Sequence, residues 1–105
     1  MTQPFPGAGH VYLVNFGPWR TQLSFASDNS LTYTGIRPDG SHGSSETVTI
    51  AATYLRDGLF MVTWQEADKT TVVHVEDFEN NVIRTNITGP DLKLSQYTGT
   101  MTQIS

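Results

Sequence analysis

The chain has no cysteine, only six lysines and arginines against ten aspartates and glutamates, and no long apolar run. Without cysteine there can be no disulfide, no thiolate nucleophile and no cysteine-based zinc site. Without a cluster of basic residues nothing neutralises a phosphate backbone, so nucleic acid is not an expected partner. A helix that crosses a bilayer needs about 20 apolar residues in succession, so no membrane partner is expected either. The opening MTQPFPGAGH has no charged segment followed by an apolar one, which makes the cytoplasm the expected location. Helical spacing is missing too: no window of about a dozen residues repeats its apolar positions every three or four.

What the chain does have is alternation. Its 105 residues suffice for one domain with a single core, so residues 1–105 are read as one unit. With 15% charged and 10% aromatic residues it lacks the composition of a disordered chain. Segments of period two, rich in Val, Ile, Thr, Tyr and Phe, occupy residues 10–16, 21–26, 31–36, 47–54, 59–66, 70–77, 82–88 and 96–102. The separators carry turn chemistry, such as Gly17-Pro18, Asp57-Gly58, Ala67-Asp68-Lys69 and Gly89-Pro90-Asp91. The expectation is an all-β fold, a small eight-stranded antiparallel up-and-down barrel, because closure removes two exposed edges and an exposed apolar face. A sandwich is the alternative.

Two segments break the rhythm. Residues 37–46, RPDGSHGSSE, form the longest connection and are rich in Gly and Ser, which suits a mobile flap over one barrel end or an idle hairpin loop. Residues 2–9 contain two prolines and cannot serve as a central strand, so they are expected to drape across a barrel end as a plug.

The stretch LFMVTWQEADKTTVVHVEDFENNVIRTNIT, from Leu59 to Thr88, concentrates the chemistry. On a strand, residues two apart share a face, so Phe60, Val62, Trp64 and Glu66 turn the same way. Glu66 is then either an acid at the barrel mouth, available as a general acid or base, or a rim charge in water. His74 and Glu76 also share a face. A three-residue Ala67–Lys69 loop pairs Trp64 with Val72 and brings His74 to Glu66's side, whereas a two-residue loop sends it to the other face. The three-residue loop is favoured, with Lys69 in a left-handed conformation. His74 and Glu76 are too few for a metal site, which takes three or four ligands, so no metal and no cofactor is expected. Phe78 is expected to cap a barrel end. Tyr12, Phe16, Trp19, Phe25, Tyr33, Tyr54, Phe60 and Trp64 can line a pocket or simply pack a core. Asn86-Ile87-Thr88 spells a glycosylation sequon, read as coincidence in a chain without a secretory signal.

The run 59–66, followed by TTVVHVEDFENN, TNIT and Gly99-Thr100, resembles the molybdenum cofactor biosynthesis F (MoaF-like) family of small calycin barrels. That resemblance spans the chain and implies a lipocalin-type barrel rather than a particular chemistry. Trp64-Gln65-Glu66 also resembles, more distantly, the Trp-x-Glu of the phenolic acid decarboxylases, whose glutamate points into the cavity. Tyr12 matches one tyrosine of their first strand. The second tyrosine's position holds Val14, and no arginine matches their carboxylate clamp, Arg37 being only in a nearby loop. Without those orienting groups decarboxylation of a phenolic acid is not expected.

Three functions are therefore carried forward. The first is binding of a small, partly apolar organic molecule in the barrel, with Trp64, Phe60, Val62, Tyr33, Tyr54 and Arg37 as the candidate wall and mouth. The second is a lyase or isomerase in which Glu66 is the acid or base and Tyr12 or His74 polarises the substrate. The third is a structural homodimer with a filled barrel, dimerisation being a common remedy for a modest core. The candidate site lies where Glu66, Tyr12, the 37–46 loop and His74 are expected to meet.

Overall fold

A computed structural model describes residues 2–105, which contain nine strands and no helix: β1 (Val11–Asn15), β2 (Arg20–Phe25), β3 (Ser30–Ile36), β4 (His42–Thr49), β5 (Ala51–Arg56), β6 (Leu59–Gln65), β7 (Thr71–Asp77), β8 (Val82–Thr88) and β9 (Leu94–Gln103). All lie in one antiparallel sheet, in the order β4-β3-β2-β1-β9-β8-β7-β6-β5. Chain neighbours pair with one another, and the first strand pairs with the last, Tyr12 opposite Gln103. The sheet curls into a half-barrel around one core.

The count differs from eight at one place. The expected strand over 47–54 is two strands, β4 and β5, separated only by Ile50. Ile50 turns inward, 4% exposed, and its N–H donates to the Asn29 carbonyl. β4 therefore pairs with β3 while β5 pairs with β6. One bent run thus supplies both edges of the sheet. No ladder joins those edges, so closure by hydrogen bonds, expected from the need to hide edges, is incomplete.

The flap is also corrected. Only residues 37–41 are a turn, closed by Arg37 N–H to the Ser41 carbonyl and Gly40 N–H to the Arg37 carbonyl. Residues 42–46 belong to β4, pairing Tyr33 with Glu46 and Thr34 with Ser45. Their Gly- and Ser-rich composition mimics a loop because this edge strand buries little at its start. A bulge between Thr34 and Ile36 brings Gly35 against Gly43, where a side chain on Gly43 would press on the Gly35 carbonyl.

Alternation places the core. β6 buries Phe60, Val62 and Trp64, β2 buries Thr21, Leu23 and Phe25, and β7 buries Val72, His74 and Glu76. At Gly99 on β9 any Cβ would collide with the backbone of Asn15, so glycine lets β9 and β1 close tightly. One end of the half-barrel is stoppered. There Phe5, from the N-terminal segment, packs edge-on against Phe25, Phe60 and Phe78 at centroid distances of 5.0–5.5 Å. Gln3 ties the segment down by accepting from the Gly58 N–H at 2.7 Å. Residues 2–9 are a plug, and Phe78 is part of the cap, as their sequence suggested.

Candidate functional site

The other end is open. The β6–β7 turn takes the three-residue form, with Trp64 opposite Val72, Val62 opposite His74, and Lys69 at φ 79°. That register brings Trp64, Glu66 and His74 to one wall. Trp19, Thr21, Leu23, Tyr33, Val72 and Ile87 complete a cavity of about 100 Å³. Larger hollows of about 370 Å³ along β7–β9 and about 360 Å³ along β5–β8 lack the stacked aromatic walls of this one.

The aromatic rings here are tied to carboxylates. Tyr33 stacks on Trp64 at 6.1 Å and 25°. The Trp64 Nε1–H donates to Glu66 Oε2 at 3.1 Å, and the Tyr33 hydroxyl donates to Glu46 Oε1 at 2.6 Å. Glu46 Oε2 accepts from the Ala67 N–H at 2.9 Å, so one carboxylate spans the unladdered gap from β4 to the β6–β7 turn. Burial, then the Glu46 bond, then the Glu66 charge push the Tyr33 hydroxyl far above its ordinary value, which keeps it a donor. Glu66 is half-buried, a mouth acid held by its own tryptophan.

Deeper in, His74 is 3% exposed and Glu76 fully buried, with Nδ1 and Oε2 3.0 Å apart. The His74 ring meets Trp64 edge-on at 4.7 Å. Among the described residues Nε2 has no hydrogen-bond partner, and the imidazole forms part of the cavity wall. In the neutral tautomer with Nδ1–H donating to Glu76, Nε2 is left as an acceptor. Glu76 Oε1 and Thr85 Oγ1 are buried without partners. No group of three or more His, Cys, Asp or Glu side chains among the described residues is placed to hold a metal ion.

The sequence-derived candidates divide. Tyr33, Trp64, Glu66 and His74 come together. Tyr12 does not: it packs against Phe25 and Phe78 at the stoppered end, where burial and the Glu76 charge raise its hydroxyl. Alternation along β1 predicts that Tyr12 points inward but not its height in the barrel, and it sits outside the cavity that Glu66 lines. Phe60 belongs to the plug, Val62 is core, and Tyr54 packs on Phe60 with its hydroxyl on Asp57. Arg37 bonds Ser41 and the His42 carbonyl within its own turn. Glu46 was missed. Its signal was the alternation Glu46, Val48, Ile50, which puts it on the inward parity.

A family model described as MoaF-like matches residues 8–102. The chain belongs to the MoaF-like family. No curated protein matches it. Among solved structures, this MoaF-like chain is similar to a Burkholderia vietnamiensis protein described as a "putative beta-lactamase", at 25% identity and a TM-score of 0.87. The match covers 98% of this chain and 100% of that one. The shared fold thus extends over nearly the whole of this chain.

Proposed function

We propose that this MoaF-like protein binds a small organic molecule in the cavity at the open end, between Trp19, Tyr33 and Trp64. The observation that carries the reading is the partnerless Nε2 of His74 in an aromatic cavity of about 100 Å³. A filled, purely structural barrel would have little reason to turn an imidazole nitrogen that has no protein partner toward an open cavity. The test is native mass spectrometry of the protein equilibrated with a small-molecule extract of its host. An added mass is expected, and it should vanish in Val72→Phe, which fills the cavity. Absence of added mass, or its retention by a folded Val72→Phe, would overturn the proposal.

The His74–Glu76 pair favours a second reading, an acid–base enzyme. A carboxylate that orients an imidazole and leaves the other nitrogen free is the arrangement general bases require. In that reading His74, with Glu66 on the same wall, takes the role for which Tyr12, outside the cavity, is not placed. A lactamase activity like the one in the Burkholderia protein's description has less support, since no Ser-x-x-Lys spacing occurs in this sequence. The proposal includes a homodimer, in keeping with the modest core, and a cytoplasmic location. A monomer mass in light scattering at micromolar concentration would remove the dimer. No helix among the described residues is long and apolar enough to cross a membrane.

A further inference from the structure

The walls of the cavity restrict what can enter it. Three donor-bearing wall residues are already committed: Trp64 Nε1–H to Glu66, the Tyr33 hydroxyl to Glu46, and the Thr21 hydroxyl to the Thr34 carbonyl at 3.0 Å. The half-buried Trp19 indole N–H is the remaining donor. The polar groups left free for a guest are the Glu66 carboxylate and His74 Nε2, both acceptors when His74 is the neutral tautomer with Nδ1–H serving Glu76. Neither Glu66 nor Glu46 forms an ion pair with a lysine or arginine among the described residues, where the pairs are Arg56–Glu79 and His74–Glu76. A carboxylate or phosphate guest would meet uncompensated negative charge at the mouth.

Resting on the reading of this cavity as a ligand site, we propose that its ligand is a small primary ammonium compound whose apolar body is no larger than about one ring. An ammonium offers three donors and no acceptor, matching the free groups. Its charge complements Glu66 and is attracted by the faces of Trp19, Tyr33 and Trp64. The size limit follows from the cavity, smaller than the roughly 150 Å³ that admits benzene in a closed core, though open at the mouth.

Isothermal titration calorimetry with matched probes tests this: benzylammonium, benzyl alcohol and benzoate, and the n-butyl equivalents of each, at neutral pH. The ammonium of at least one set should bind about tenfold or more tighter than its alcohol, a difference of about 1.4 kcal/mol, and its carboxylate should not bind. Glu66→Gln retains an oxygen for the Trp64 N–H and should weaken the ammonium about tenfold more than the alcohol, with Glu66→Asp recovering part of the loss. A carboxylate that binds as well as the ammonium, or a Glu66→Gln variant with no preferential loss, would overturn the inference while leaving the cavity a ligand site. If no probe of either set binds, the inference falls, while added mass in the native spectrum still decides the binding reading.

Discussion

The two ends of this half-barrel are both lined with aromatic rings, yet they are built on opposite principles. At the stoppered end Phe5, Phe25, Phe60 and Phe78 satisfy one another edge to face and leave no polar atom to serve. Each such contact adds about 0.5–1.5 kcal/mol to the burial it accompanies. At the open end the rings are Trp64 and Tyr33, whose polar atoms are bound to Glu66 and Glu46, beside a histidine with a free nitrogen. Apolar rings close a barrel, whereas rings with polar handles can hold one open, because their carboxylate partners need water or a guest. Stability should reside mainly at the first end and function at the second.

The largest effect that would break this contrast lies at the plug. Phe60→Ala removes a ring packed against Phe5, Tyr54 and Phe78 and should cost about 3–5 kcal/mol in urea unfolding. A loss under about 1 kcal/mol would mean the stopper contributes little. At the mouth Tyr33→Phe removes a bond to a carboxylate and should cost less, about 1.5–3 kcal/mol. If the two variants lose the same amount, the ends are not energetically distinct.

Alkali sharpens the comparison. Burial raises the hydroxyls of Tyr33 and Tyr12 above the ordinary value of 10.0. Above about pH 10 an unfolded chain has lost these protons while the fold retains them, so the native state binds more protons and stability falls as pH rises. The contribution is complete below pH 10. Melting followed from pH 8 to pH 11 should show this decline, and Tyr33→Phe should decline less steeply; an equal slope would mean that Tyr33 does not titrate differently on folding. The smallest effect belongs between the ends. Thr85→Val deletes a buried hydroxyl that has no partner and should leave stability unchanged or raise it by up to about 1 kcal/mol. A clear loss would point to a water bridging Thr85 and Glu76.

How much of this was legible follows from how local each signal is. The strand from Leu59 to Gln65, the turn after it and the return to His74 are adjacent in sequence, so alternation and loop length sufficed to bring Trp64, Glu66 and His74 together. The height of Tyr12 depends instead on the accumulated stagger of the strands between β1 and β6, which no short window records. Glu46 was hidden because edge strands bury little and read as loops, though its parity with Val48 and Ile50 was present. The split at Ile50 was invisible for the opposite reason: a bend in a continuous strand leaves the alternation intact.

The pairing of β1 with β9 bears on how the molecule assembles. Every other ladder joins strands adjacent in the chain and can zip from a hairpin, whereas Tyr12 must find Gln103 across almost the whole polypeptide. Contacts of such separation carry the largest loop-closure cost and lower the folding rate. β9 is synthesised after the other eight strands of the sheet, so β1 and β8 wait with bare edges while the rest of the meander is already available. The sheet is therefore most open to wrong pairing with a neighbour just before β9, ten residues long, arrives.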